Sequence, residues 1–277
     1  MTPRTRFWQL APDLYFSAPD ATLLSRTIDL VFSRMAVGAP PAAARCVSLD
    51  LQPAADSKLL FLVDSMPIVH AESERHLPPV IESSLDACAV RARTDCAVFH
   101  AGCVQAGGKT VLLLGEKSSG KSTLALWLAT HGARYLGDEL IFVHPADGRI
   151  EGFPKAVSLK EKSFTLFGEA ETYVDPARGA LRYIQPPDCT PPFSPSARPD
   201  AIIVPRFGPF DQLRVTDLAP HETALMLIQQ SFGGLDRDPQ TLDLIAALAT
   251  TPAKLMEYPA AEAAGSDILR TCGVATP

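Results

Sequence analysis

Apolar residues recur at helical spacing over residues 19–35, where Leu23, Leu24, Ile28, Val31 and Phe32 share one face. Gly38, Ala39, Pro40 and Pro41 interrupt that pattern. From Cys46 to Leu51 the period changes to two. Val47, Leu49 and Leu51 alternate with Ser48 and Asp50, as on a half-buried strand. Residues 59–63 predict a second strand and residues 67–71 a third. Pro78 and Pro79 open a helix with Val80, Ile81, Ser84, Leu85, Cys88 and Ala89 on one side. These elements make residues 1–95 an N-terminal α+β region without a chemical motif.

Residues 97–104 predict one strand, and Gln105 to Lys109 a turn. Thr110-Val111-Leu112-Leu113-Leu114 is then an apolar run of the kind buried on both faces of a sheet. Residues 124–129 have helical composition, with Gly132 as the stop. Residues 134–143 form a further apolar stretch around Gly137, Asp138 and Glu139. A turn over residues 144–149 leads to a segment at 156–160 with basic residues at 155, 160 and 162. Such lysines suit either a phosphate-bearing ligand or a solvated face. Residues 176–199 are rich in proline and lack an apolar period, which predicts a long loop, either a lid that orders over an acceptor or a substrate-binding segment. Residues 200–207 predict a buried strand, 221–232 and 239–250 two helices, 254–258 a late strand and 266–272 a closing helix. Residues 96–277 form the second domain in this reading.

The apolar run at 110–114 ends in Gly115-Glu116-Lys117-Ser118-Ser119-Gly120-Lys121-Ser122-Thr123, which fits the pattern G-x-x-x-x-G-K-[ST]. Strand, glycine loop and helix are the context that pattern requires. Gly115 and Gly120 let the backbone turn tightly and offer its N–H groups to phosphate oxygens. The helix N-terminus adds partial positive charge. Lys121 would contact the β- and γ-phosphates of ATP, and Ser122 would offer its hydroxyl to Mg²⁺.

The next acidic residues stand where such a loop could use them. A helix over residues 121–131 carries the chain roughly 16 Å away from the phosphates, at about 1.5 Å per residue. Four or five extended residues return it about 13–17 Å, at about 3.3 Å each. Asp138 and Glu139 are therefore expected near the level of the phosphates on a neighbouring strand, as Mg²⁺ ligands or as acceptors of a hydroxyl proton. His100 lies on a strand beside the loop strand and is a candidate by position. Arg206, at a strand end, is placed either to reach a phosphate or to face solvent. Lys160 is a further candidate for phosphate or substrate.

Composition narrows the classes. A chain of 277 residues, 47% hydrophobic and 20% charged, can bury a full core. A net charge of -6 argues against nonspecific nucleic-acid binding. No apolar stretch has the length of a membrane span. The six cysteines form no C-x-x-C pair, which gives no support to a zinc or thiol-redox motif, and scattered thiols suit the reducing cytoplasm.

Phe99-His100-Ala101-Gly102, the 115–122 loop and Gly137-Asp138-Glu139 follow one another in close succession. In order and spacing they resemble the phosphoryl-transfer core of HPr kinase/phosphorylase. Val157-Ser158-Leu159-Lys160 and Val204-Pro205-Arg206 extend the resemblance to the diverged HPr-kinase-related proteins of bacterial peptide-modification clusters, some of which phosphorylate a serine of a precursor peptide, including lasso-peptide precursors. The specific likeness spans residues 97–143. It implies an α/β fold with a P-loop-containing core like those of HPr kinase and phosphoenolpyruvate carboxykinase, beside the N-terminal α+β layer. It implies an ATP- and Mg²⁺-dependent kinase of a peptide or protein hydroxyl, with Asp138 as base, His100 assisting it, and Ser122 and Glu139 holding Mg²⁺. The glycine-rich signature of the bifunctional enzymes is not recognisable after the acidic pair. The competing classes are a nucleotide-gated binding protein or NTPase and a small-metabolite kinase. Neither a nucleic-acid nor a membrane partner is expected, and assembly with copies of itself is left open.

Overall fold

A computed structural model describes residues 4–232 and 239–275. In chain order, β1 (Thr5–Ala11) and β2 (Leu14–Pro19) precede α1 (Leu23–Phe32). Then β3 (Ala36–Val37), β4 (Arg45–Pro53), β5 (Leu59–Val63) and β6 (Met66–Ala71) lead to α2 (Leu77–Ala92). The next stretch holds β7 (Ala97–Phe99), β8 (Ala101–Ala106), β9 (Lys109–Leu114), α3 (Lys121–Thr130), β10 (Arg134–Gly137), β11 (Ile141–Val143) and β12 (Ile150–Glu151). It is followed by β13 (Val157–Lys160), β14 (Tyr173–Asp175) and β15 (Gly179–Ile184). The chain closes through β16 (Ala201–Phe207), β17 (Arg214–Leu218), α4 (Pro220–Gln230), α5 (Pro239–Ala249), β18 (Ala253–Tyr258) and α6 (Ala261–Thr271). The fold is mixed α/β with several sheets. Among the described residues no helix is long and apolar enough to cross a membrane.

The chain divides into two compact units. The first joins Met1–Ala92 to Lys155–Gln185, and the second joins Arg93–Pro154 to Pro186–Pro277. The first unit is built on a sheet of order β3-β1-β2-β4-β5-β6, with a small sheet of order β13-β15-β14. Its core holds Trp8, Phe16, Ile28, Val31, Phe32, Phe61, Ile81 and Leu85, all essentially buried. Thr22 and Ser25 cap α1 reciprocally, each side chain accepting from the other's backbone N–H at 3.2 and 3.0 Å.

Residues 155–185, grouped with the second domain by sequence, belong to the first unit because polar groups anchor them there. Ala156 donates its N–H to the Val31 carbonyl at 2.7 Å, and the Gln185 amide donates to Leu30 at 3.0 Å. Lys155, expected on a ligand-binding or solvated face, is instead buried. Its Nζ donates to Glu82 at 2.9 Å and to Asp86. Glu82 also accepts from Arg178 at 3.0 Å and from the Tyr183 hydroxyl at 3.0 Å. The expected proline-rich lid is likewise only partly irregular. Residues 179–184 form β15, paired to β13 and β14. In the second unit, Thr190 and Ser196 donate backbone hydrogen bonds to Tyr135 and Ile150 at 3.0 and 2.6 Å.

The second unit carries a sheet of order β10-β8-β9-β16-β18-β17 and a small one of order β12-β11-β7. β9, β16 and β18 run parallel, so their C-terminal ends share one edge. Leu112, Leu114, Ile202 and Val204 pack with Leu227 of α4 and Leu244, Ile245 and Leu248 of α5. Val111 and Leu113 point the other way and are buried too, as the unbroken apolar run predicts. Helix α3 is buried nearly all round, and its Trp127 lies against Gly265 of α6. A Cβ at position 265 would stand 2.1 Å from the indole.

The Glu82 cluster gives the first prediction. Burial pushes the Glu82 carboxyl up, but the opposing pull of Lys155 and Arg178 holds it below its ordinary value of 4.5. Its ionised form therefore adds stability that is complete above that value and is lost as pH falls through the lower folded one. Glu82→Gln leaves the buried Lys155 and the half-buried Arg178 each short of a partner and is expected to cost about 3–5 kcal/mol in denaturant unfolding. Asp217→Asn, at the exposed Lys254 pair, should cost less than about 1 kcal/mol. Equal losses from the two substitutions would show that the buried carboxylate has no special role.

Candidate functional site

The candidate site is assembled at breaks in two strands. The reading of 97–104 as one strand is corrected here: β7 pairs with β11 in the small sheet, and β8 pairs with β9 in the large one. His100 is the residue between them. Its N–H leaves the ladder and donates to the Gln230 carbonyl at 2.7 Å, while Phe232 donates to Val98 at 2.8 Å. The end of α4 thus diverts the strand. The stretch 134–143 breaks at the same level, with β10 in the large sheet and β11 in the small one. Asp138, Glu139 and Leu140 span that break.

Register sets the height of these residues. Ala101 pairs with Leu114, so His100 falls level with Gly115 at the start of the glycine loop. Cys103 pairs with Gly137, which puts Asp138 beside Gly102. A Cβ at Gly102 would lie 3.3 Å from Asp138 Oδ1, so the missing side chain leaves room for that carboxylate. Asp138 is 1% exposed. Glu139 takes the left-handed backbone at φ 73, which a non-glycine residue adopts at a cost. Its Oε2 lies 3.3 Å from His100 Nδ1, and both side chains are about one-third exposed or less. The acidic pair lies one strand further from β9 than "neighbouring" implies, because β8 runs between them. β8 is antiparallel to both, so all three strands bring their candidates to one edge.

The loop itself follows the glycines. Gly115 and Gly120 have φ 154 and 101, and Ser118, also left-handed, has φ 70. Lys121 opens α3 and folds back, its Nζ donating to the Gly115 and Glu116 carbonyls at 2.6 and 3.1 Å. Ser122 and Thr123 occupy the first turn of α3. The loop leans toward β16, where Phe207 donates its N–H to the Ser119 carbonyl at 2.9 Å. On the other side Lys117 joins His100, Gln229, Gln230, Ser231 and Phe232 around an open hollow of about 280 Å³.

Two predicted residues stand apart from this group. Lys160 closes β13 in the first unit, not on the sheet that carries the loop. Arg206 is the last but one residue of β16, but it pairs with Glu257 at 3.0 Å and is largely exposed. Sequence reading also missed a cluster at Asp95, Cys96 and His144, whose ligand-type atoms lie within 4.8 Å of one another. Its geometry is that of a guanidinium network. Arg93 donates to Asp95 at 2.8 and 2.9 Å and to Glu151 at 2.6 Å. His144 Nε2 is engaged with Glu151 at 2.5 Å. Cys96 Sγ lies 3.7 and 3.9 Å from the two ring nitrogens, nearly equidistant, and so off the lone-pair axis of each. Only the isolated charged letters of Arg93 and Glu151, 58 positions apart, signal this contact in sequence.

No family model matches the chain, and no curated protein matches it. Among solved structures, the Hpr(Ser) kinase/phosphatase from Coxiella burnetii aligns with 14% identity. The alignment covers 64% of this chain and 93% of that one, at a TM-score of 0.28. Its name is that of the family read from the motifs, but a likeness at this level assigns neither fold nor function.

Thiol chemistry separates the cysteines. Burial pushes the Cys96 thiol up to about 12, and burial also raises Cys103. Cys46 is exposed. Alkylation of the native chain at neutral pH, followed by mass spectrometry, should label Cys46 well before Cys96 and Cys103. Rapid labelling of Cys96 would contradict the closed network around it.

Proposed function

We propose that this chain is a phosphotransferase that binds ATP with Mg²⁺ at residues 115–123 and passes the γ-phosphoryl group to a hydroxyl of a peptide or protein, with serine as the acceptor residue. The observation that carries the reading is the meeting of a glycine loop with His100, Asp138 and Glu139 at one edge of one sheet. Phosphoryl transfer asks for those two halves: a cradle for phosphate charge, and a group that orients and deprotonates the nucleophile.

In this reading Asp138 takes the proton of the attacking hydroxyl. His100, held by Glu139, assists. Lys121 is already steadied by two loop carbonyls and directs its charge at the phosphates. The Ser122 hydroxyl and the Glu139 carboxylate are hard oxygen donors of the kind Mg²⁺ prefers, and would hold it. When bound, the ion would neutralise phosphate charge. The hollow beside His100 supports an acceptor approach from the α4 side, since Asp138 is itself closed to solvent.

Three substitutions test the assignment with labelled ATP and serine-bearing peptides. Asp138→Asn keeps the shape of the side chain but removes its basicity, and transfer should fall roughly 10²–10⁴-fold. ATP affinity, read by calorimetry with and without Mg²⁺, should change far less. His100→Ala should show a milder loss of transfer. Lys121→Ala should weaken ATP binding by about 1.5–3 kcal/mol. An Asp138→Asn chain that transfers phosphate at the native rate would remove the proposed base.

A further inference from the structure

The two flanks of the glycine loop differ in chemistry. On the β8 and β10 side stand His100, Asp138 and Glu139. On the β16 and β18 side stand Phe207 and Tyr258, and Glu257 there is paired with Arg206. A nucleoside triphosphate has a reactive end and a nucleoside end. With its γ-phosphate turned toward the acidic flank, its base must project over the other one.

That flank carries an aromatic surface built against the loop. Phe207 closes β16, and its N–H is the group that holds the Ser119 carbonyl. Its Cβ lies 3.1 Å from where a side chain at Gly120 would begin, so nothing separates the residue from the loop. Yet its side chain is left in the open, the residue being 48% exposed. Behind it Tyr258 is buried, with ring centroids 6.2 Å apart and planes inclined at 54°. The Tyr258 hydroxyl lies 2.6 Å from the same Gly120 position and makes no hydrogen bond among the described residues. Phe207 therefore packs against Tyr258 and is about half open to solvent.

We propose that Phe207 is the stacking platform for the nucleobase of the triphosphate bound at the loop. The inference rests on the phosphate-loop reading above and adds the base subsite to it. An aromatic face binds any base through its π-surface, and Tyr258 backs the ring so that little order is lost on binding. Arg206, its neighbour in the strand, is paired with Glu257.

Calorimetry with Mg²⁺ and two probes, ATP and inorganic tripolyphosphate, tests it. Native protein should bind ATP more tightly than tripolyphosphate. Phe207→Ala should weaken ATP roughly 5- to 150-fold, the usual effect of losing a stacked base, and leave tripolyphosphate unchanged. Phe207→Trp should restore ATP binding. Equal affinities of the native protein for the two probes overturn the base subsite and spare the phosphate loop. An equal weakening of both probes in Phe207→Ala also overturns it, since the residue would then act only on the loop's shape. Unchanged ATP affinity in Phe207→Ala has the same meaning. Native protein that binds neither probe overturns the loop reading, and this inference with it.

Discussion

Adjacent strands that change sheets at one level constrain everything at the candidate site. A strand residue that leaves its ladder must find other partners for its backbone. At His100 that partner is the end of α4. At residues 138–140 the chain turns through a left-handed glutamate. These are the places where polar side chains can stand among apolar strands without interrupting a ladder. Because β8 is antiparallel to β9 and β10, a break at the start of β8 and one at the end of β10 meet at the same edge, beside the loop that follows β9.

Buried charge is handled separately in each unit. Glu82 in the first is surrounded by Lys155, Arg178 and the Tyr183 hydroxyl. Arg93 in the second is shared between Asp95 and Glu151 and lies 4.9 Å over the Phe142 ring. In both cases the network joins segments far apart in sequence, and in both an unpaired member would be costly. They hold the segments that enter and leave the sheets.

Much of this was legible from local pattern. The run Val111 to Leu114, the loop and α3 stood out because strand, glycines and helix are consecutive and each obeys a short-range rule. The strand at 201–207 and helix α5 were legible for the same reason. The strand break at His100 was not, since Gln230 causes it from across the sheet. Nor was β15, because its partners β13 and β14 lie on either side of irregular chain and override a proline-rich composition. Nor was the burial of Lys155, whose letter suits a phosphate-bearing ligand or a solvated face and whose partners on α2 lie some seventy residues earlier. Strands β1, β2 and β17 went unread, the last because its residues are mostly exposed and carry no alternation. The candidate residues at 115–123 follow from the motif, Asp138 and Glu139 from the length of the path out along a helix and back along a strand, and His100 from its position beside the loop strand, whereas Phe207 is only the last letter of a strand.

The contact between Trp127 and Gly265 has a genetic consequence. The indole occupies the space of any side chain at 265, and Trp127 rides on the helix whose first turn carries Lys121 and Ser122. A larger residue at 265 must push α6 and α3 apart, and α3 takes the loop with it. Under the proposed function, random mutagenesis selected for loss of nucleotide binding would therefore return position 265, which lies outside the loop, alongside the loop itself. A suppressor of such an allele would be sought at 127, as a smaller ring or none.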